Sequence, residues 1–257
     1  MGDILSSFDL TTTQWGLIAL CAMFVGMSKT GVQGIYNLVV PIMALIFEAK
    51  ASTGILLPML IMADVFGVSY YNRSAQWKHV FRLIPWAILG VIIGTIVGDY
   101  IPEVWFKILL GFIILASLIL MIYMELKQVT EVPDYWWFSA IMGILGGFTT
   151  MVGNAAGAVI AVYLLSMHLP KNQFIGTTAW FFFLINLSKV PFHIFVWKTI
   201  HWNTFVMNLS MLPIILVGAA IGVWLVKQLN ESFYRKFVIA ATVLSTILLL
   251  YYGIKEI

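Results

Sequence analysis

The stretch GMSKTGVQGIYNLVVP, residues 26–41, carries a lysine, a serine, a threonine, a glutamine and three glycines inside a chain that is otherwise close to continuous apolar sequence. In hydrocarbon, backbone that departs from helix must be buried in protein or line a watery cavity, because each unpaired amide costs several kcal/mol. SKTGVQG therefore faces inward. Its glycines permit a sharp turn, and the helix expected after it presents free N–H groups and the positive end of its dipole. With Lys29 adjacent, the loop suits an anion. The competing reading is a tight packing turn, with Lys29 snorkelling to an interface.

The surrounding composition fixes the solvent. The 257 residues are 61% hydrophobic and only 10% charged, and the mean hydropathy is +0.99. Soluble domains run at roughly 45–50% apolar and about 25% charged. This is an integral membrane protein, so a large soluble domain, nucleic acid and large soluble partners are excluded as readings. Residues 1–13 lack basic residues and an apolar core ending at a small-residue cleavage site, which argues against a removable signal peptide. Cys21 is the only cysteine, so an internal disulfide and any multi-cysteine metal site are ruled out.

Working outward, apolar runs fall at 14–27, 35–47, 52–71, 80–97 and 105–124, then, after the polar linker 125–134, at 135–152, 157–167, 174–197, 204–226 and 237–252. The two sets match in order. An offset of 122 carries Trp15 to Trp137, Gly31 to Gly153, Gly54 to Gly176 and Asp64 to Asn186. Further on, an offset of 128 carries Pro85, Gly90 and Gly94 to Pro213, Gly218 and Gly222, and Ser117 to Ser245, with the extra residues expected near 198–203. The expectation is an all-α polytopic protein of two repeats, 1–124 and 135–257, joined by 125–134. The first two runs of each repeat are short against the ~20 residues a span needs, so each pair reads as a re-entrant hairpin.

An odd number of crossings per repeat makes the repeats inverted, and an even number makes them parallel. With odd crossings, Arg73, Lys78, Arg82, Lys127, Lys171, Lys227, Arg235 and Lys236 share one face, and Lys50, Lys107, Lys198 and Lys255 the other. Even crossings split the same twelve evenly. The positive-inside rule therefore favours inversion in a bacterial inner-membrane type of protein with both termini extracytoplasmic.

The candidate anion contacts are Ser28, Lys29, Thr30, Gly31, Gln33 and Gly34 from the first loop. From its mate TTMVGNAAG come Thr150, Gly153 and Asn154. Two half-helix N-termini converging near the midplane make one site of the kind inverted-repeat transporters use. Asp64 and Lys189 lie deep in long apolar segments, where ionisable groups are functional candidates. Asn186 is the repeat mate of Asp64, one turn from Lys189. Lys189 reads as a second anion contact or as a partner of Asp64, in a structural bridge between the repeats; Asp64 reads as a carrier of a coupling proton. His193, after the kink expected at Pro191, reads as an interfacial or gating residue. Trp77, Trp105, Trp136, Trp137, Trp197 and Trp202 read as interfacial anchors, and Gly90-x-x-x-Gly94 and Gly218-x-x-x-Gly222 as close-packing faces. No cofactor, metal site, nucleotide-binding motif, zinc-binding His pair or nucleophile motif is present in the sequence, which points away from an enzyme. The partners expected are a small anion, the bilayer and a coupling proton or cation, with a homo-oligomer compatible.

GMSKTGVQG…VVP, residues 56–94 from LLPMLIMADVFG onward, and GFTTMVGNAAG through INLSKVPFH together resemble the TauE/SafE family of membrane permeases, the sulfite exporter or toluene sulfonate uptake group. The likeness covers nearly the whole chain. It implies transport of sulfur-containing anions such as sulfite, thiosulfate, sulfoacetate or related organosulfonates. Two features depart from the family pattern: the repeat mate of Pro41 is Tyr163, and neither loop holds a triple glycine. The reading is a secondary transporter, with an anion channel using the same loops as a selectivity filter as its alternative.

Overall fold

A computed structural model describes residues 8–102 and 135–230, with isolated positions at 104, 105, 108, 112, 119, 123, 233, 236 and 240. The apolar runs at 105–124 and 237–252 and the linker 125–134 lie outside the described residues. What is described is helical: α1 Thr12–Lys29, a 3-10 turn Gln33–Leu38, α2 Val39–Ile46, α3 Ala49–Tyr71, α4 Trp77–Tyr100, α5 Trp136–Gly153, α6 Gly157–Ser166, α7 Lys171–Pro191, α8 Trp202–Ser210 and α9 Leu212–Gln228.

Local chemistry sets the ends of these helices. Thr11 begins α1 with a capping box: its hydroxyl accepts from the Gln14 amide at 3.3 Å, and Gln14 Oε1 accepts from the Thr11 amide at 2.8 Å. The helix stops at Gly31, whose φ of +130° other residues rarely adopt. Asn154 closes α5 in the left-handed conformation at φ 55°, and its amide donates to the Thr150 carbonyl at 3.0 Å. A single π turn, Phe192–Val196, follows Pro191, where the expected kink falls.

Four helical stretches, Lys50–Ser74, Trp77–Tyr100, Trp136–Gly153 and Lys171–Val196, are long and apolar enough to cross a bilayer. The pair α8 and α9, bent by 49°, makes a fifth if it counts as one span. Helices α2 and α6, of 8 and 10 residues, reach about 12 and 15 Å at ~1.5 Å per residue, half the hydrocarbon thickness. Pro85 lies inside the continuous α4, whereas its mate Pro213 opens α9 just after the bend. Proline is tolerated best in a first turn, which explains why the later helix breaks there.

Helix α5 packs along α4, α1 along α9, and α3 against α7. Glycines make these approaches close. A Cβ at Gly147 would fall on the Ala87 carbonyl and one at Gly90 on the Ile144 carbonyl; on the other side, Gly26 meets the Ile215 carbonyl and Gly218 that of Met23. The two small-residue faces are thus packing faces. Gly54, near the start of α3, lies beside Thr199, beyond the end of α7; Gly176, near the start of α7, lies beside Tyr71 at the end of α3. The two helices therefore run antiparallel, and between those contacts Asn186 Nδ2 donates to Asp64 Oδ2 at 2.7 Å.

The outer surface is apolar, as lipid requires: Phe81, Ile96, Val217 and Trp224 are exposed, as are Trp77, Trp105, Trp136, Trp137 and Trp202 among the expected anchors. Trp197 differs. It is buried, and its Nε1–H donates to the Thr95 carbonyl at 3.1 Å, so it ties α4 to the end of α7.

Candidate functional site

The contact of Asp64 with Asn186 opens onto a polar cluster built from α1, α3, α5 and α7. Lys29, in the last turn of α1, places Nζ 2.9 Å from Asp64 Oδ1, with its side chain 10% exposed and that of Asp64 fully buried. The same ammonium lies 4.4 Å from the centroid of the Phe182 ring, a cation–π contact that is worth most where water is excluded. Lys189, also fully buried, donates to Thr150 Oγ1 at 3.2 Å, to Asn186 Oδ1 at 3.3 Å and to Asn154 Oδ1. Three acceptor oxygens match the three N–H donors of an ammonium. Asn154 is held in turn by its Nδ2, which donates to the Thr53 carbonyl at 2.9 Å.

Beside this network is an interior cavity of about 40 Å³. Its polar wall is Ser28, Lys29, Tyr36, Thr150, Asn154, Thr178 and Asn186; Leu60, Ile175 and Phe182 are among its apolar residues. The wall is drawn from both halves of the chain.

The details correct the sequence expectation in three places. Ser28 and Lys29 are helical rather than part of a loop, so the charge sits at the C-terminal end of α1, where a cation is favoured by the helix dipole. The segment after the turn is first a 3-10 turn, and α2 begins only at Val39. Its N-terminus does not follow Lys29 directly. Third, the ionic partner of Asp64 is Lys29, whereas Lys189 is occupied by the amide and hydroxyl oxygens described above.

The remaining candidates divide. Ser28, Thr150, Asn154 and Asn186 line the cavity with Lys29. Thr30 does not: its hydroxyl lies 3.0 Å from the Ala219 carbonyl and 3.1 Å from that of Gly26, and Tyr71 OH donates to the Thr30 carbonyl at 3.2 Å. Those bonds fasten the end of α1 to α9 and α3. Gly31 faces Val226 and Ile175, and Gly153 is the last residue of α5. Gln33 and Gly34 begin the 3-10 turn, and their side-chain surroundings lie outside the described residues. His193 is buried, with Nδ1 2.8 Å from Thr199 Oγ1 and its ring edge-on to Trp197, away from the cavity wall. Among the described residues no three His, Cys, Asp or Glu side chains group so as to hold a metal ion.

Two wall residues escape a reading based on charge and loop motifs, Tyr36 and Thr178. Tyr36 lies within the opening stretch itself. Its signal is an aromatic hydroxyl two residues past Gly34, hidden among residues that read as ordinary membrane sequence.

Neither the curated proteins nor the solved structures compared with this chain include a match. A family model does match, over residues 18–249: the sulfite exporter TauE/SafE family. That range takes in every element of the polar cluster and nearly all of the chain, so the protein belongs to the TauE/SafE family of membrane transporters.

Proposed function

We propose that this protein is a secondary transporter for a small sulfur-containing anion, sulfite, thiosulfate, sulfoacetate or a related organosulfonate, and that the anion binds at the cavity beside Lys29. The observation that carries the reading is the wall itself: one charged and several neutral hydrogen-bonding side chains from distant parts of the chain converge on a buried space. With Asp64 and both lysines ionised, the cluster holds two positive charges and one negative. A surplus positive charge in hydrocarbon is costly unless it is paired, and an anion pairs it.

Antiparallel packing of α3 and α7 supports two inverted repeats, 1–124 and 135–257. So does the exchange of partners in which the first helix of each repeat packs on the fourth element of the other. In that arrangement α1 with α2, and α5 with α6, are re-entrant hairpins whose second helices are half-length, and the site lies where the repeats meet near the midplane. The basic ends of α3, α4, α7 and α9 then share the cytoplasmic face of an inner membrane, with both termini outside.

Asp64 is the coupling group in this reading. It competes with the anion for Lys29, so a proton taken up by Asp64 releases Lys29 to the anion, and proton and anion move together. The charged and polar groups facing it are Lys29 from α1, and Asn186 and Lys189 from α7.

Counterflow of labelled sulfite in proteoliposomes tests the proposal, with sulfite, thiosulfate, sulfoacetate and chloride as trans anions. Exchange accelerated by a sulfur anion and lost in Lys29→Ala is the expected result. Non-saturating flux without acceleration would replace the carrier with an anion channel filtered by the same residues, and no flux of any sulfur anion would overturn the substrate class.

A further inference from the structure

The donors around the cavity are unequal, because most are already engaged. Ser28 Oγ donates to the Val25 carbonyl at 2.8 Å. Asn154 Nδ2 is committed to Thr53, and Asn186 Nδ2 donates to Asp64. The Lys189 ammonium has an oxygen for each of its three hydrogens. Lys189 is thus a brace that holds Thr150, Asn154 and Asn186 in place, with no donor left over.

Tyr36 is the exception. It is 7% exposed, its side chain lines the cavity, and its hydroxyl is buried without a partner. Buried hydroxyls are ordinarily satisfied, and one without a protein partner marks strain, an ordered water or a ligand. Its ring belongs to the 3-10 turn, on a different element from the other donors. Thr150 Oγ1 accepts from Lys189, which leaves its own O–H to donate. Lys29 spends one direction on Asp64. The uncommitted hydroxyl and ammonium donors are therefore Tyr36 from the 3-10 turn, Thr150 from α5 and the remaining hydrogens of Lys29 from α1, while Asn154 and Asn186 each keep one further amide hydrogen.

We propose that the Tyr36 hydroxyl binds an oxygen of the transported anion and, with Thr150 and Lys29, makes the site selective for three-oxygen anions over halide. The assignment rests on the transport reading above. Three donors arriving from three elements match the separate oxygens of a sulfite or sulfonate group, whereas a halide offers one centre and cannot use all three directions equally well. The partner of the Tyr36 hydroxyl in this assignment is the substrate.

The test compares wild type with Tyr36→Phe, which keeps the ring, and with 3-fluorotyrosine placed at position 36, which keeps the shape and strengthens the donor. The readouts are the KM for sulfite counterflow, the ratio of sulfite to chloride flux, and the Tm without anion. Loss of one hydrogen bond to a charged group predicts a KM about 10- to 100-fold higher in Tyr36→Phe, with the sulfite preference reduced and Tm unchanged or raised. Fluorotyrosine should lower KM. A Tyr36→Phe KM and selectivity within twofold of wild type would overturn the assignment while leaving the transport reading intact. Wild-type protein that carries no sulfur anion would overturn the reading and the assignment together.

Discussion

At the scale of single residues, the charges in the membrane are organised by exchange rather than by isolated pairing. Asp64 has Lys29 on one oxygen and Asn186 on the other. Removing one member of a buried pair leaves the other uncompensated, which costs about 3–5 kcal/mol. Asp64→Ala is therefore expected to lower the Tm sharply. Asp64→Asn should retain more of the fold while abolishing the dependence of sulfite uptake on a proton gradient, since an amide takes up no proton at neutral pH; pH-dependent uptake that survives in Asp64→Asn would remove Asp64 from the coupling. In the wild type, acidification should raise sulfite affinity by freeing Lys29. Lys189→Met leaves three buried oxygens without their donor, at about 1–3 kcal/mol for each unsatisfied group; thermal unfolding in detergent should show it as one of the most damaging substitutions. Lys29 and Lys189 could both be singled out in the sequence, because a charge stands out against apolar neighbours. Which of them pairs with Asp64 could not. That choice depends on the depth of one helix relative to another, and a sequence offset does not specify depth.

At the scale of elements, the glycine faces were legible because close approach requires small residues at fixed spacing. Gly147 and Gly26 occupy matching places against α4 and α9. Replacing either with leucine drives a side chain into a partner's backbone carbonyl, so the two variants should each lower expression of folded protein, measured by size-exclusion of a fluorescent fusion. A surface control such as Val217→Leu, on the lipid-exposed face of α9, should not. The hairpin loops were legible only in outline. Hydrophobicity located the interruption, but whether Ser28 and Lys29 end a helix or begin a loop turns on one glycine conformation and one threonine hydroxyl, at Gly31 and Thr30. Tyr36 stayed hidden for a related reason: its importance lies in what its hydroxyl lacks, and that can be seen only once every neighbouring bond has been assigned.

At the scale of the whole molecule, α1 packs on α9 and α5 on α4, and Asp64 meets Asn186 between α3 and α7. Cys21 is buried, which makes a Cys21→Ala background suited to topology mapping. Single cysteines at Thr12 and Tyr135, which begin the first helix of each proposed repeat, should be labelled by an impermeant thiol reagent from opposite faces of the membrane. Labelling from the same face would make the repeats parallel. The central claim is that one anion site needs both repeats, and equilibrium binding of labelled sulfite to purified protein tests it most directly, with wild type beside Lys29→Ala and Thr150→Val and each variant checked for its fold by Tm. A site shared by the repeats predicts that each substitution weakens sulfite binding at least about tenfold, the loss of one good hydrogen bond or ion contact. Wild-type affinity in either folded variant would contradict it.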